Sequence, residues 1–264
     1  MDAPSDSRLL DLQRVGIRFG GLRAVSDLEI KLVPGCLHGL IGPNGAGKTT
    51  VFNLITGIYR PTEGDIHFDG TSLVGEAPDR IAKRGIGRTF QNIRLFAGMS
   101  VIENVKVAMY RHAAGSLWES VLRMPRYWRD EATIHREATQ LLDTFGLLSV
   151  ADLGAEQLPY GARRRLEIAR ALATRPKLLL LDEPAAGMNP SEAHDLMNLV
   201  RWVRDSFGVS ILLIEHHMPV VMGICERITV LDQGASIAEG SPREIQNDPL
   251  VIEAYLGADV EARG

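Results

Sequence analysis

A glycine-rich loop of nine residues constrains this chain more than any other feature of its sequence. The loop fits the phosphate-binding pattern G-x-x-x-x-G-K-[ST] at every required position and consists of Gly42, Pro43, Asn44, Gly45, Ala46, Gly47, Lys48, Thr49 and Thr50. The apolar run Leu37–Ile41 before it predicts a buried strand, and Thr50–Ile55 after it can begin a helix. This strand–loop–helix context is the one that the pattern requires.

The residue types of this loop suit the binding of phosphate groups. Glycines let the backbone curl until its N–H groups point inward, and the start of a helix adds further donors and a positive dipole end. Lys48 is predicted to contact the β- and γ-phosphates, and the Thr49 hydroxyl to bind Mg²⁺. The alternative, an ordinary glycine-rich turn with a surface lysine, explains neither the spacing nor the flanks. The loop therefore predicts nucleoside triphosphate binding and leaves the use of its energy open.

Composition limits the remaining possibilities. The chain has 264 residues, of which 45% are hydrophobic, so it can form one large α/β domain or a domain with an inserted lobe. A formal net charge of −4 disfavours a nucleic-acid-binding protein, which usually has a strong basic bias. A small anionic ligand needs only a local site, so the net charge does not argue against phosphate binding.

Neither the cysteines nor the apolar segments point to secretion or to a membrane span. Cys36 and Cys225 lie far apart in apolar surroundings and are predicted to be buried, reduced thiols. The longest apolar runs fall short of the roughly 18–20 residues of a membrane helix. Residues 1–7 are acidic and lack the apolar core of a signal peptide. We therefore expect a soluble, cytoplasmic protein that acts at a membrane only through a partner.

Hydrophobic patterning predicts an α/β chain. Alternation of apolar and charged residues over Asp27–Val33 indicates a half-exposed strand, whereas the continuous apolar run Leu178–Leu181 indicates a central parallel strand covered on both faces. Further strands are predicted at Leu9–Phe19, Asp65–Asp69, Gly85–Phe90, Val209–Ile214, Ile228–Leu231 and Ala235–Glu239, and helices at Ala77–Arg84, Glu137–Leu148, Ser191–Phe207 and Pro242–Leu256.

Between about residues 100 and 175 the pattern becomes helical. Residues 110–136 are rich in basic and aromatic side chains, including Trp118, Arg123, Arg126, Tyr127, Trp128 and Arg129. We interpret this segment as a solvated helical hairpin with packing aromatics, inserted in the α/β core. Docking on a partner protein is the main alternative, ahead of a nucleic-acid or membrane-surface patch.

Polar side chains follow several of the predicted buried strands. Asp182 and Glu183 end one strand and His216 ends another, and ligands of open α/β sheets bind at the carboxyl edge of the strands. Asp182 is predicted to hold Mg²⁺, and Glu183 to orient an attacking water and take its proton. His216 could contact the γ-phosphate. Gln91, which also follows a predicted strand, could reach the metal or the water through its amide.

In their order along the chain these pieces resemble an ATP-binding subunit of the ABC transporter family. Gly42–Thr50 matches Walker A, Leu178–Glu183 matches Walker B with its glutamate, and Leu158–Arg165 stands where the signature lies. By the same resemblance Gln91 is the Q-loop glutamine, Ala186–Pro190 the D-loop, His216 the switch histidine and Phe19 the adenine-stacking aromatic. From the residues alone, the pattern favours a core side chain at a strand end for Phe19 over a ring stacked on a nucleotide base.

The resemblance covers nearly the whole chain and implies its fold. We expect an α/β P-loop NTPase core with an N-terminal antiparallel β-subdomain and an inserted α-helical subdomain. The core with its β-subdomain would comprise residues 1–99 and 176–241, the helical subdomain with the signature residues 100–175, and a C-terminal helical tail residues 242–264. ATP and Mg²⁺ are the implied ligands.

Within the family the chain is most similar to the ATPases of branched-chain amino acid importers. Gly87–Phe96, Asp182–Pro190, the basic insert after Tyr110 and the Ile252–Gly257 tail carry this closer similarity. It implies a second, related and possibly non-identical ATPase subunit, two transmembrane permease subunits and, indirectly, a solute-binding protein, but no nucleic acid. The protein would then lie on the cytoplasmic face of the plasma membrane. An ATPase of a urea or amide uptake system is the nearest alternative, and a non-transport ABC ATPase is a more distant one.

The signature departs from the family's common Leu-Ser-Gly-Gly-Gln. In the family this loop caps the γ-phosphate bound by the opposite subunit, and here it contains Pro159, Tyr160, Gly161 and Ala162. Pro159 removes a hydroxyl and a backbone donor, although proline suits the first turn of a helix. Because Gly161 and the following helix remain, we expect a working loop with fewer side-chain contacts. Asn189 replaces the usual D-loop aspartate, which puts that residue's dimer contact in question.

Overall fold

The computed structural model describes residues 8–112 and 125–261. Residues 89–176 form one compact unit, and the remaining described residues form the other. Residues 1–7 and 262–264, together with Trp118 and Arg123 of the basic, aromatic segment, lie outside the described residues. Each unit is taken in turn, beginning with the one that contains the phosphate loop.

The described residues of the first unit form two sheets. The strands are β1 Leu10–Phe19, β2 Leu22–Leu32, β3 Leu37–Ile41, β4 Glu63–Phe68, β5 Thr71–Ser72, β6 Ile86–Arg88, β7 Leu178–Asp182, β8 Ser210–Ile214, β9 Arg227–Asp232 and β10 Ala235–Gly240. The antiparallel sheet has the strand order β2-β1-β4-β5, and the second sheet has the order β10-β9-β3-β8-β7-β6. Within the second sheet the pairs β9–β3, β3–β8, β8–β7 and β7–β6 are parallel, and only β10 runs antiparallel to its neighbour β9.

Helices accompany the second sheet and follow several of its strands. They are α1 Lys48–Ile55, α2 Pro78–Arg84, α6 Pro190–Phe207, α7 Met218–Ile224, α8 Pro242–Gln246 and α9 Pro249–Glu261, and the numbers α3 to α5 belong to the other unit. One core joins side chains of both sheets and α1, including Leu12, Phe52 and Leu180, all fully buried. Burial of each such side chain stabilises the fold by about 1.5–3 kcal/mol. The helix that begins at the phosphate loop is thus anchored in a core that it shares with both sheets.

The second unit is helical. The α-helices in its described part are α3 Val101–Met109, α4 Pro125–Thr144 and α5 Tyr160–Leu172. Ser100 caps the N-terminus of α3 in a capping box, in which its hydroxyl accepts from the Glu103 N–H and the Glu103 carboxylate accepts from the Ser100 N–H. Apolar side chains at helical spacing, such as Leu142 on α4 and Leu166 on α5, are fully buried. The helical periodicity of the sequence is therefore confirmed in the described part of this unit.

Several sequence-based boundaries are wrong, and three of them have a clear local reason. Strand β2 begins at Leu22 rather than Asp27, because Leu22 pairs with Phe19 across a tight hairpin. Strand β6 ends at Arg88 rather than Phe90, because its pairing with β7 ends there. The tail is two helices rather than one, because a residue that precedes proline, here Asp248, disfavours the helical conformation.

Candidate nucleotide-binding site

The central strands bring the predicted catalytic segments to one edge of the sheet. β3, β8 and β7 are adjacent and parallel, so their carboxyl ends lie side by side. β3 leads into Gly42, β7 ends at Asp182, and β8 is followed by Glu215 and His216. These segments therefore meet where ligands bind in open α/β sheets.

The phosphate loop needs glycine at its first position for two physical reasons. Gly42 has a φ of 149°, and a Cβ atom there would lie 2.0 Å from the carbonyl oxygen of Leu231 on the neighbouring β9. The loop is also tied to the turn between β9 and β10, because the Gly234 N–H donates to the Ala46 carbonyl at 3.0 Å. Asn44, Gly45 and Thr49 are exposed on its outer side. The loop is thus held from the sheet side and open to solvent on the other.

Lys48 lies at the start of α1 and is 7% exposed. Its Nζ donates to the carbonyl oxygens of Gly42 at 2.7 Å and Pro43 at 2.8 Å. Burial lowers the pKa of Lys48, and the carboxylates of Glu183 and Asp182 oppose that shift. The structure therefore brings the lysine of the loop and the acidic pair of β7 into one electrostatic environment.

Asp182 is fixed by a residue that the sequence reasoning missed. The Arg88 guanidinium lies 3.3 Å from Oδ2 of Asp182, and both side chains are buried. Arg88 also donates to Asn53 Oδ1 at 2.8 Å and Thr56 Oγ1 at 3.2 Å, at the C-terminal end of α1, and stacks over the Phe52 ring. Arg88 thus joins the helix of the phosphate loop to the carboxylate of β7. A basic residue inside a short buried strand was the available signal.

Glu183 and His216 come together as the sequence predicts for residues at the ends of neighbouring strands. Nδ1 of His216 lies 3.8 Å from Oε2 of Glu183, and the two side chains are 56% and 17% exposed respectively. Glu183 has a φ of 46°, and its N–H donates to the Ile214 carbonyl on β8 at 2.9 Å. The glutamate thus occupies a sharp turn, where its carboxylate is partly accessible and lies beside the imidazole.

Glu215 is a second residue that the sequence reasoning missed. It is 1% exposed, and its Oε1 accepts the Ala185 N–H at 2.9 Å while its Oε2 accepts the His216 N–H at 3.2 Å. Burial raises the pKa of the Glu215 carboxyl, and its backbone donors oppose the rise. This carboxylate connects the turn after Glu183 to the loop of His216. An acidic residue directly after an apolar strand was the only sequence signal.

Phe19 lies at the end of β1 and is 44% exposed, so its interpretation as a core side chain is wrong. Its ring meets that of Tyr59 edge to face, with centroids 5.1 Å apart and an interplanar angle of 71°. Tyr59 follows α1 in the chain. The hairpin that ends β1 leaves the Phe19 ring on the surface, which is the condition for stacking on a base.

Gln91 and the signature residues belong to the helical unit and are described within it. Gln91 lies beyond the end of β6, and its carbonyl oxygen accepts from Arg164 at 3.0 Å. Pro159 is the residue before α5 rather than part of its first turn, while Tyr160 begins the helix and is 45% exposed. Gly161 and Ala162 lie in that first turn and are partly exposed.

Asn189 is the N-cap residue directly before α6, in the first unit. Its side chain accepts the Glu192 N–H at 3.0 Å in a capping box. This contact gives the asparagine a local structural role at a position where the family commonly has aspartate.

Residues 25–186 match a family model described as ABC transporter. The chain is 45% identical over 249 residues to the high-affinity branched-chain amino acid transport ATP-binding protein BraF of Pseudomonas aeruginosa, covering 94% of this chain and 98% of the relative. This chain belongs to the ABC transporter family. As an ABC cassette it is an ATPase, and the P-loop fold expected from the sequence is confirmed.

Other relatives support the same family assignment. The chain is 47% identical over 249 residues to LivG of Escherichia coli, a high-affinity branched-chain amino acid transport ATP-binding protein. The crystal structure of the ADP conformation of MJ1267, an ATP-binding cassette of an ABC transporter, superimposes with a TM-score of 0.81 at 30% identity, covering 95% of this cassette and 99% of that chain. Residues 236–261 match a second family model, described as branched-chain amino acid ATP-binding cassette transporter. Among the described residues of the cassette, no helix has the length and apolar character needed to cross a membrane.

Proposed function

We propose that this cassette is the ATP-hydrolysing subunit of an ABC importer for branched-chain amino acids. The observation that carries the proposal is the match of residues 236–261 to the branched-chain amino acid cassette family, because the match at residues 25–186 is common to ABC transporters in general. The high identity to BraF and LivG, over 94% of the chain, supports the same substrate class.

The chain is less similar to an export ATPase than to the amino acid transport proteins, which favours import over export. The lipopolysaccharide export ATP-binding protein LptB of Escherichia coli is 35% identical over 244 residues, compared with 45–47% for the amino acid transport proteins. Import of branched-chain amino acids is therefore the better supported assignment. Uptake of urea or other amides by a related system remains the alternative that a substrate assay must separate.

In this proposal the loop residues Gly42–Thr50 bind the phosphates of ATP through backbone N–H groups, and Phe19 stacks on the adenine. The Lys48 ammonium interacts electrostatically with the carboxylates of Asp182 and Glu183. Its hydrogen bonds to the carbonyls of Gly42 and Pro43 can be exchanged for hydrogen bonds to phosphate oxygens. The carbonyl contacts keep the buried ammonium hydrogen-bonded until a phosphate replaces them.

The donor set of the site fits a magnesium ion. Mg²⁺ takes oxygen ligands and is usually held by one or two protein groups together with phosphates and waters. The Thr49 hydroxyl and the Asp182 carboxylate are such groups, and Gln91 would add an amide oxygen. Arg88 orients the Asp182 carboxylate through Oδ2. When bound, the ion supplies charge neutralisation for the phosphate oxygens.

Glu183 and His216 are proposed to carry the hydrolytic step. Glu183 is accessible enough to contact a water and would take its proton as the water attacks the γ-phosphate. His216, 3.8 Å away, is placed to hold the Glu183 side chain and to donate to the phosphate. Glu215 and Arg88 then serve as supports, since they hold the backbone of His216 and the carboxylate of Asp182.

The active assembly is proposed to be a head-to-tail pair of cassettes. Pro159, Tyr160, Gly161 and Ala162 of one subunit would cap ATP bound by the other, and the second cassette would be related and possibly non-identical. Two transmembrane permease subunits would anchor the pair on the cytoplasmic face of the plasma membrane, and a solute-binding protein would deliver the amino acid to them. The exposed first turn of α5 supports this role for the signature.

The catalytic assignment is tested by Glu183→Gln. Loss of the general base should lower kcat by about 10²-fold or more while ATP binding persists. Glu29→Gln, an exposed substitution on β2, is the matched control and should hydrolyse ATP at the wild-type rate. Near-normal turnover of Glu183→Gln would contradict the assigned base.

The transport assignment is tested on the complex purified from the native cell through a tag on this chain. Membrane proteins that co-purify should include permease subunits, and ATP hydrolysis by the reconstituted complex with its solute-binding protein should rise with leucine, isoleucine or valine. Stimulation by urea instead would favour the alternative substrate. Recovery of ribosomes or DNA without membrane proteins would overturn the transport assignment.

A further inference from the structure

The helical unit contains a buried ion pair on α5. Arg164 and Glu167, one turn apart on α5, are 0% and 1% exposed, and Nη1 of Arg164 lies 2.8 Å from Oε2 of Glu167. Arg164 is the largest fully buried side chain among the described residues. Removing two charges from water is costly, so such a pair persists where its further hydrogen bonds compensate for the lost hydration. The partners of those hydrogen bonds indicate what the pair does.

The pair is bonded to the backbone of the Gln91 loop, which we define as residues 90–94. Arg164 donates from Nη1 to the Phe90 carbonyl at 2.8 Å and from Nη2 to the Gln91 carbonyl at 3.0 Å. Glu167 Oε1 accepts the N–H groups of Phe90 at 3.2 Å and Arg94 at 3.4 Å. The cationic Arg164 thus binds two carbonyl acceptors of the loop, and the anionic Glu167 binds two of its N–H donors.

The same guanidinium also reaches the signature. Nη2 of Arg164 lies 3.4 Å from the Tyr160 hydroxyl, and its Cζ lies 6.0 Å from the centre of the Tyr160 ring. Tyr160 begins α5, so the contact holds the first turn of the signature helix. One buried side chain therefore contacts the backbone of Gln91 and the side chain of a signature residue.

We propose that Arg164 and Glu167 are positioning residues that fix the Gln91 loop and the signature turn to each other, so that the two are placed as one body. The inference rests on the proposed function of both segments. Gln91 would serve the ATP bound by its own subunit, whereas the signature would cap the ATP of the partner cassette. The pair thus links the geometry of one nucleotide site to that of the other, without touching either nucleotide.

Two variants separate this role from a general contribution to folding. Arg164→Met combined with Glu167→Met removes both charges together, so that no uncompensated charge stays buried. Arg164→Lys keeps the charge and a partner for Glu167, but a single ammonium cannot reproduce the forked contacts to Phe90, Gln91 and Tyr160. The matched control is Arg175→Met combined with Glu137→Gln. It breaks an exposed ion pair of the same unit, in which Nη2 of Arg175 lies 2.7 Å from Oε2 of Glu137.

The full-length chain of each variant is compared in steady-state ATP hydrolysis, in ATP binding by calorimetry and in thermal unfolding. Mispositioning of Gln91 and the signature should lower kcat about tenfold in Arg164→Lys and more in the double Met variant, with KM and ATP affinity close to wild type. The Arg175 control should keep the wild-type kcat. If the double Met variant does not fold, Arg164→Lys alone decides.

A wild-type kcat in Arg164→Lys, or in a folded double Met variant, would overturn the inference. A rise of KM in proportion to a loss of ATP affinity, with kcat unchanged, would also overturn it, because the pair would then serve nucleotide binding. Failure of the proposed function would give a different result: the wild-type chain would not hydrolyse ATP, or Glu183→Gln would hydrolyse it at the wild-type rate.

Discussion

The strand that leads into the phosphate loop carries a buried histidine, and we predict that this residue makes the fold sensitive to acid. His38 on β3 is 2% exposed, and its Nε2 shares a hydrogen bond of 2.8 Å with Thr229 Oγ1 on β9. Burial lowers the pKa of His38 from 6.5 to about 4, and the charges of Glu239 and Arg227 modify it in opposite directions. The imidazole is therefore neutral in the folded protein at every pH well above 4.

The sign of the effect follows from proton linkage. The unfolded chain binds a proton at this histidine as the pH falls through 6.5, whereas the folded chain resists it until the pH approaches 4. The stability that His38 contributes is thus fully present above 6.5 and is lost as the pH falls towards 4. From the pKa values of 6.5 and about 4, the loss is about 2 kcal/mol at pH 5 and about 3 kcal/mol at pH 4, compared with neutral pH.

The assay is urea unfolding followed by circular dichroism at pH 7 and pH 5, on the wild type and on His38→Gln, whose amide can still bond to Thr229. The wild type should lose about 2 kcal/mol more unfolding free energy between the two pH values than the variant does. His194→Gln, at an exposed position on α6, is the control and should follow the wild type. Parallel changes in wild type and His38→Gln would refute the reasoning, because His38 would then bind protons alike in the folded and unfolded chain.

Three further predictions concern the site and its supports. Glu215→Gln leaves one acceptor oxygen for the two N–H groups of Ala185 and His216. The kcat should therefore fall about tenfold while the KM for ATP stays near wild type. An unchanged kcat would contradict the support role of Glu215. Phe19→Ala should weaken ATP binding by about 1–3 kcal/mol and leave binding of inorganic tripolyphosphate unchanged in calorimetry, and equal losses for both ligands would exclude base stacking. Gly64→Ala and Gly70→Ala share nearly the same φ, 76° and 74°, but only at Gly64 would the new Cβ lie 2.2 Å from a backbone oxygen, that of Arg14. In thermal unfolding Gly70→Ala should therefore cost about 1 kcal/mol and Gly64→Ala clearly more, and equal costs would show that close approach is not what requires the glycine.

Much of the active edge could be read from local sequence patterns. The Gly42–Thr50 loop has a spacing that few other structures use, and its flanking strand and helix follow from the apolar pattern on either side. Asp182, Glu183 and His216 each follow an apolar run, and the carboxyl ends of parallel strands lie at one edge of a sheet. Such features depend on residues that are neighbours along the chain. The sequence by itself was therefore sufficient to predict the fold class and to put the phosphate loop and the acidic pair at one edge of the sheet.

The supports of the site depend on which segments the fold brings together. Arg88 and Asp182 are 94 residues apart, and Glu215 and Ala185 are 30 apart, yet each pair is bonded. These contacts require the strand order β3-β8-β7-β6, and apolar runs reveal that strands are buried but not which of them are adjacent. Likewise, the exposure of Phe19 depends on the hairpin that ends β1, which is why its core and stacking interpretations could not be separated beforehand.

The same reason limits what the signature segment shows on its own. Pro159 to Ala162 read as a weakened motif, because the sequence displays the missing hydroxyl and amide directly. Only the tertiary structure shows that Arg164, 73 residues from the Gln91 carbonyl it contacts, is buried and bonded to that loop. Local spacing thus predicted which groups contact the nucleotide, whereas long-range burial and hydrogen bonding decided which side chains hold those segments in place.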